Sequence, residues 1–147
     1  QQRKTGANTL QLVDAVPLGV YPQLRAALPG IKVVQVIHIT GEESVEAATA
    51  VAPFVDAILL DSGNPNLTVK ELGGTGRVHD WKLSGVIREQ VTIPVYLAGG
   101  LRAENVADAI RSVHPYAVDV CSGVRTDGDL DEKKLSAFFS AVFSVTL

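Results

Sequence analysis

The residues best suited to chemistry lie in two turns near the end of the chain. Gly99 and Gly100 follow one apolar segment, and Ser122 and Gly123 follow the next. Because glycine has no Cβ, turns of this kind let backbone N–H groups approach an anion closely. Two such turns after consecutive strands predict a divided phosphate site, whereas any one of these glycines alone is better explained by a tight turn.

Two aspartates lie in or at the ends of predicted strands near these turns. Asp61 ends the apolar run that begins at Ile58, and Asp119 lies within the last apolar segment. Strand alternation puts Asp119 on the same face as Cys121 and opposite Val118. A charged residue on an enclosed face is unfavourable unless it is paired or contacts a ligand. Asp119 is therefore either a ligand contact or a structurally paired carboxylate, and Asp61, taken alone, is better explained as the cap of a loop.

These residues need a scaffold of strands and helices. Five segments rich in aliphatic and β-branched residues predict strands, and helical patterns follow each of them. Because strands and helices alternate, we expect an α/β fold with a parallel sheet covered by helices. The predicted strands are Thr9 to Val13, Lys32 to Ile39, Asp56 to Leu60, Ile93 to Ala98 and Ala117 to Cys121. The predicted helices are Pro22 to Leu28, Glu43 to Phe54, Trp81 to Gln90, with Asp80 as its N-cap, Glu104 to Val113 and Asp131 to Phe143.

The strands recur at a regular spacing with one expansion. They begin at residues 9, 32, 56, 93 and 117, so successive starts lie 23, 24, 37 and 24 residues apart. The expansion is the segment from Ser62 to His79, which has little strand or helix pattern and contains Gly73, Gly74 and Gly76. Loops of this length in a compact domain are usually functional or disordered. We interpret this one as a mobile lid over the site, with a solvated insertion as the alternative.

Composition limits the classes of protein. The chain has 147 residues, 46% of them hydrophobic, so residues 1–147 are expected to form a single domain. A formal net charge of −3 argues against a broad nucleic-acid or anionic-membrane surface. The single cysteine fits a reducing compartment, so we expect a cytoplasmic protein. No apolar run reaches the roughly 18 residues of a membrane span, and the three histidines have no metal-site spacing.

Two architectures fit five βα units. A five-stranded doubly wound parallel sheet is complete at this length, but its phosphate turn normally follows the first strand or lies at a switch point. The first predicted strand ends Leu12-Val13-Asp14, without glycine. A β/α barrel places the phosphate at its last two strands, as the glycine turns suggest, but eight strands need about 200 residues or more. In that case the chain is the last five units of a barrel.

Four ordered motifs resemble the phosphoribosylanthranilate isomerase family of tryptophan biosynthesis. The motifs are ILLDS (Ile58 to Ser62), GGTGRVHDW (Gly73 to Trp81), LAGGLRAENVADAI (Leu97 to Ile110) and PYAVDVCSGV (Pro115 to Val124). The resemblance extends from the first predicted strand to the end of the chain. It implies a partial (β/α)8 TIM barrel with strands four to eight, and with strands one to three absent.

The resemblance also implies an activity, an Amadori rearrangement. In that reaction N-(5-phosphoribosyl)anthranilate opens its ring and becomes 1-(2-carboxyphenylamino)-1-deoxyribulose 5-phosphate, without a cofactor. Asp61 matches the general acid at the ring oxygen, and Asp119 matches a contact to the sugar hydroxyls. Arg77, which replaces a lysine of the family, is a candidate contact to an anionic group of the substrate. The phosphate-binding turns match Gly99, Gly100, Ser122 and Gly123.

The chain departs from the family at several places. The family's general base is a cysteine after strand one, and an arginine after strand two meets the anthranilate carboxylate. The resemblance finds neither region here, so we expect the chain alone to lack the base and to be nearly inactive. Cys121 stands where the family usually has serine, and we expect a small buried thiol there. His38 stands where the family has a small or apolar residue, and is either a satisfied polar group or a proton shuttle.

Two other functions stay open at this point. One is a non-catalytic phosphate-ligand-binding or half-barrel interaction module that completes itself with another chain. The other is a related ribulose-phosphate-binding barrel enzyme with different chemistry. An open parallel sheet exposes strand edges that must be covered. We therefore expect either a homo-oligomer or a complementing N-terminal segment.

Overall fold

A computed structural model of the chain describes residues 2–63 and 80–145. Arg77 and residues 64–79 of the proposed lid lie outside the described residues. The strands are β1 (Thr9–Leu12), β2 (Lys32–His38), β3 (Ala57–Asp61), β4 (Val95–Leu97), β5 (Ala117–Val118), β6 (Arg125–Thr126) and β7 (Asp129–Leu130). The α-helices are α1 (Gln2–Thr5), α2 (Val20–Ala27), α3 (Glu43–Val51), α4 (Trp81–Gln90), α5 (Val106–Val113) and α6 (Glu132–Phe143), and single 3₁₀ turns cover Ala52–Phe54 and Ser122–Val124.

The main sheet confirms the predicted α/β fold. Its five strands are all parallel and lie in the order β1-β2-β3-β4-β5, so each strand pairs with its neighbours along the chain. A doubly wound sheet reverses its strand order at a switch point. Because this order has no reversal, the doubly wound alternative is wrong.

The two faces of the sheet have different neighbours. One face packs beneath the helices, and α3, α4, α5 and α6 contact one another in sequence along it. The larger hydrophobic core lies on this face, where side chains of the strands and of the helices are buried against one another. Its fully buried strand residues are Val33, Ile58, Leu60, Val95 and Leu97. The opposite face carries a smaller apolar cluster of Val34, Val36, Ala57, Leu59 and Ala98.

A polar network fastens the amino ends of β2 and β3. The Asp56 carboxylate accepts hydrogen bonds from the backbone N–H of Val33 at 2.8 Å, from Arg25 at 2.9 Å and from Lys32 at 3.0 Å. Arg25 also donates to the carbonyl of Phe54 at 3.1 Å. The network therefore links α2 to two strands at the end of the sheet remote from the glycine turns.

A buried amide fastens the carboxyl end of β1. The Gln35 side chain accepts a hydrogen bond from the Tyr21 hydroxyl at 2.7 Å, and its Nε2 lies 3.0 to 3.1 Å from the carbonyls of Leu12, Asp14 and Val36. Gln35 and Tyr21 are each only 1% exposed. Buried polar groups need such partners, so this cluster fixes α2 against the sheet.

Some local predictions are confirmed and others need correction. Helix α4 has the predicted bounds, and Asp80 caps it by accepting a hydrogen bond from the N–H of Lys82. The last predicted strand is shorter than expected, because β5 ends at Val118. The β6–β7 hairpin was not predicted from the sequence. None of the helices in the described part of the chain has the length and apolar character that a membrane span needs.

Candidate functional site

Asp61 is the last residue of β3 and lies at the carboxyl edge of the sheet. It is buried, with 6% of its surface exposed. Its Oδ1 accepts a hydrogen bond from the backbone N–H of Ser62 at 2.7 Å. One carboxyl oxygen is therefore held by the chain itself, which fixes the side chain's orientation at the strand end.

The first glycine turn follows β4 and lies directly against the end of β3. Gly99 and Gly100 have φ angles of +83° and +64°, which residues with a Cβ rarely adopt. A Cβ on Gly99 would come within 2.7 Å of the Ser62 backbone nitrogen. Asn105 closes the turn by donating to the Gly100 carbonyl at 3.0 Å. Backbone conformation and close packing therefore both require glycine at position 99.

The second turn follows β5 and packs on the first. The 3₁₀ turn Ser122–Val124 brings Gly123 so close to the carbonyl of Leu101 that a Cβ there would overlap the carbonyl oxygen. The same Cβ would lie 3.0 Å from the Leu101 carbonyl carbon and 3.2 Å from the Arg102 Cα. Gly123 thus allows backbone-to-backbone contact between the two turns.

The two turns and the two aspartates line one cleft. The cleft lies at the carboxyl ends of β3, β4 and β5. Asp61, Asp119, Gly99, Gly100 and Ser122 all line it, together with Ala98, Leu101, Val120 and Cys121. Of the predicted site residues, Gly123 lies behind the turn, where it borders a second surface with Lys133 and Lys134.

The polar groups of the cleft have complementary characters. No described residue accepts a hydrogen bond from the backbone N–H groups of Gly100, Ser122 or Gly123. Among the described lining residues, the only charged side chains are those of Asp61 and Asp119. Backbone N–H groups at one end can therefore bind an anion, while carboxyl groups at the other can exchange protons or accept hydrogen bonds from hydroxyls.

The exposure of Cys121 differs from the sequence-based expectation, and Asn105 has a role for which there was no expectation. Cys121 is exposed and lines the cleft, so the expectation of a buried thiol is wrong. The Asp119 N–H still donates to the Leu97 carbonyl, and a 3₁₀ turn begins at Ser122, so Cys121 lies between the end of the strand pairing and this turn, where its side chain is exposed. Asn105 orders the Gly100 turn, a role that was not predicted from the sequence. Its position five residues after the glycine pair is the signal that could have identified it.

The sequence model of the N-(5'-phosphoribosyl)anthranilate (PRA) isomerase family matches residues 3–141. The chain belongs to the PRA isomerase family. It is 39% identical over 136 residues to N-(5'-phosphoribosyl)anthranilate isomerase 2 of Methanosarcina mazei, a match that covers 92% of this chain and 59% of that protein.

Solved PRA isomerases share the fold. The Thermotoga maritima phosphoribosyl anthranilate isomerase superposes with a TM-score of 0.78 at 30% sequence identity, over 98% of this chain and 65% of that chain. A second PRA isomerase, solved in complex with reduced 1-(o-carboxyphenylamino)-1-deoxyribulose 5-phosphate, superposes with a TM-score of 0.75 at 27% identity, over 98% and 63% of the two chains. The chain therefore spans less than two thirds of the length of these family members.

Proposed function

We propose that the cleft supplies the acid and the phosphate site of a PRA isomerase. The observation that carries this proposal is the convergence of Asp61, Asp119 and the two glycine turns on one cleft. These residues come from three different strand ends, and each is a candidate from the sequence alone. Family membership adds the reaction class.

The fold part of the proposal is a partial barrel. We assign β1 to β5 to strands four to eight of a (β/α)8 barrel, within a single domain of residues 1–147. The sequential strand order and the one-sided helix layer support this assignment, because barrel strands follow one another in order with helices outside. In such a barrel the edges of β1 and β5 are covered by a complementing segment or a second copy.

The substrate's phosphate occupies the turn end of the cleft. The N–H groups of Gly100 and Ser122, for which no described residue is the acceptor, donate to its oxygens, and the absence of a Cβ at position 100 lets the anion approach. No cationic side chain lines the cleft among the described residues, so the backbone dipoles supply the attraction there. Arg77, outside the described residues, stays a candidate for a further anionic contact.

Asp61 supplies the acid. Its protonated carboxyl donates to the furanose ring oxygen while the C1–O bond breaks, and the bonding electron pair stays on that oxygen. The anthranilate nitrogen lone pair forms the C1=N bond at the same time, which gives a protonated Schiff base. Loss of the C2 proton to a base then gives the enolamine, which tautomerises to the aminoketone. Among the described residues, we assign no group as that base.

Asp119 orients the sugar. It is exposed to the cleft, on the same sheet face as Asp61 and two strands away. A carboxylate accepts hydrogen bonds from hydroxyl groups through both oxygens. Asp119 therefore binds the hydroxyl groups of the opened sugar, and this fixes C2 relative to Asp61.

Two ligands and two variants test the proposal on the 147-residue chain. Calorimetry is done with inorganic phosphate and with reduced 1-(o-carboxyphenylamino)-1-deoxyribulose 5-phosphate, and isomerase turnover is measured in the chain completed by its complementing N-terminal segment. Ser122→Asp introduces a negative charge beside the phosphate and should weaken both ligands at least tenfold. Ser136→Asp adds the same charge on the exposed side of α6 and should change the affinity for neither ligand.

The second variant separates acid chemistry from binding. In the completed enzyme, Asp61→Asn should reduce turnover at least a hundredfold with little change in phosphate affinity, since it removes the proton donor only. Native protein that binds neither ligand contradicts the proposal. The prediction that the 147-residue chain alone is nearly inactive is checked in the same turnover assay, with a rate near that of full-length family members as the contrary result.

A second candidate is a phosphate-ligand-binding module without catalysis. It is favoured by the completeness of the anion-binding turns beside a cleft for which no base is assigned in the described residues. Under this function, Asp61→Asn should weaken the binding of the sugar-phosphate ligand, and the completed chain should show no isomerase turnover. The measurements above therefore distinguish the two candidates.

A further inference from the structure

Asn105 immediately precedes α5 and does not line the cleft. An asparagine at the start of a helix commonly accepts a hydrogen bond from a backbone N–H of the first turn. Here the side chain makes no such capping bond. Its amide turns back instead to the loop that leads from the first glycine turn into the helix, so helix capping does not explain its place in the structure.

Both groups of the Asn105 amide have a backbone partner in that loop. Oδ1 accepts a hydrogen bond from the Arg102 N–H at 2.9 Å, and Nδ2 donates to the Gly100 carbonyl at 3.0 Å. A backbone N–H can only donate and a carbonyl can only accept, so one orientation of the amide satisfies both groups and the reverse satisfies neither. The Asn105 N–H also donates to the Arg102 carbonyl at 3.1 Å. One residue therefore closes the whole loop from Gly100 to Arg102.

The two side-chain bonds fix the peptide groups before and after Leu101. The peptide group after Leu101 is trans, so its N–H and its C=O point in opposite directions. Its N–H belongs to Arg102 and points to Asn105. Its C=O belongs to Leu101 and therefore points away from Asn105. This carbonyl is the group against which Gly123 of the second turn packs.

The position of the second turn depends on that carbonyl. Gly123 lies so close to it that there is no room even for a Cβ, so a rotation of the peptide group after Leu101 would displace Gly123. Ser122, which lines the cleft, would move with it. The first turn depends on Asn105 directly, through the Gly100 carbonyl. The amide of Asn105 thus supports both turns, although it lies behind them.

We propose that Asn105 is a positioning residue for the phosphate site, holding the first turn directly and the second turn through the Leu101 carbonyl. The inference rests on the proposed function, because it concerns the phosphate site of that reaction. Asn105 keeps the N–H groups of Gly100 and Ser122 in a fixed arrangement, so the phosphate does not have to order two loops when it binds. Removing the amide should therefore weaken phosphate binding although every donor to the phosphate is still present.

Asn105→Ser separates this role from helix capping. Serine is as favourable as asparagine before a helix, but its side chain is one bond shorter and cannot bridge the two peptide groups. Calorimetry of the 147-residue chain with inorganic phosphate should show about tenfold weaker binding for Asn105→Ser, the loss expected for one hydrogen bond to a charged group. Glu104→Ser changes the neighbouring exposed residue and should not weaken phosphate binding. Unchanged phosphate affinity in folded Asn105→Ser overturns the proposal.

NMR of the 147-residue chain tests the two links separately. The Arg102 N–H should exchange slowly with solvent although Arg102 is exposed, because Asn105 accepts its hydrogen bond. Inorganic phosphate should slow this exchange further, since two interactions that favour one conformation strengthen each other. Asn105→Ser should also shift the backbone amide resonance of Gly123, and Glu104→Ser should leave it in place. Fast exchange at Arg102, exchange that phosphate does not change, or a Gly123 resonance unmoved by Asn105→Ser overturns the proposal.

The proposed function and this inference fail in different ways. A native chain that binds neither phosphate nor the reduced aminodeoxyribulose phosphate contradicts the proposed function, and this inference with it. A chain that binds phosphate equally well before and after Asn105→Ser contradicts this inference alone. Thermal unfolding of each variant identifies any general loss of folding, and in that case the exchange of the Arg102 N–H in the unsubstituted chain decides.

Discussion

Gly123→Ala is the sharpest test of how the two turns form one site. A methyl group at this position would overlap the Leu101 carbonyl oxygen and would lie 3.0 Å from the carbonyl carbon. Ordinary contacts between such atoms are about 3.5 Å or more, so one turn must retreat by roughly an ångström or more. Neither atom belongs to a flexible side chain, so the backbone itself has to move.

The expected magnitudes follow from that displacement. Overpacking of this kind destabilises a protein by about 1–3 kcal/mol. Displacing a turn N–H from a bound anion loses a charge-assisted hydrogen bond of about 1.5–3 kcal/mol, which corresponds to roughly a tenfold to hundredfold weaker affinity for phosphate. We therefore expect Gly123→Ala to lower both the melting temperature and the affinity for inorganic phosphate.

The assay combines thermal unfolding with calorimetric phosphate titration and a matched glycine. Gly128, at the tip of the β6–β7 hairpin, has φ +90°, and no atom lies within 4 Å of the place that an added methyl group would occupy. Gly128→Ala should destabilise through backbone strain alone and leave phosphate affinity unchanged. Native-like phosphate binding by Gly123→Ala would refute the reasoning that the turns act together.

Two further predictions concern the support of the sheet. Burial favours the protonated form of Asp56, but hydrogen bonds from the Val33 N–H and Lys32 outweigh it and hold the pKa of Asp56 below its usual range. Asp56 therefore stabilises the fold above the unfolded-state pKa of about 3.9, and this contribution is lost as pH falls through the lower folded pKa. Asp56→Asn should lower the free energy of unfolding by about 1–2 kcal/mol at pH 7. The difference between the melting temperatures of the wild-type protein and the variant should become smaller as the pH is lowered. A difference that stays constant with pH would contradict this. Tyr21→Phe leaves the buried Gln35 oxygen without a hydrogen-bond donor. It should lower the free energy of unfolding, measured by chemical denaturation, by about 1–3 kcal/mol without altering phosphate affinity. An unchanged denaturation midpoint would count against a stabilising role of the buried network.

The sequence was most informative where local chemistry decides the structure. The N-cap at Asp80 and the bounds of Trp81–Gln90 follow from capping and helical periodicity, both read within one helix. The two glycine turns were selected by the rule that strand ends of a parallel sheet meet at one edge, whereas Asp61 was selected by the resemblance to the family. Their roles stay predictions, although their common cleft is now described.

The remaining features depend on contacts between distant segments. The exposure of Cys121 depends on where β5 leaves the sheet, and alternation along a strand does not report where that strand ends. The bond between His38 and the Val13 carbonyl joins two strands whose register is set by packing of the whole sheet. Likewise, position 123 requires glycine because the Leu101 carbonyl packs against it, and local sequence patterns do not reveal a contact between residues so far apart in the chain.

The contact between Gly99 and Ser62 has a mechanical consequence. Gly99 belongs to a turn that we propose binds the phosphate, and Ser62 is the residue whose N–H donates to the Asp61 carboxyl. Because Gly99 packs closely against Ser62, an anion that orders the Gly99 turn would also restrict the motion of the Ser62 N–H, which orients the Asp61 carboxyl. Under the proposed function, affinity gained at the non-reacting end of the substrate would thereby align its reacting end, which is how remote binding energy raises the rate of a chemical step.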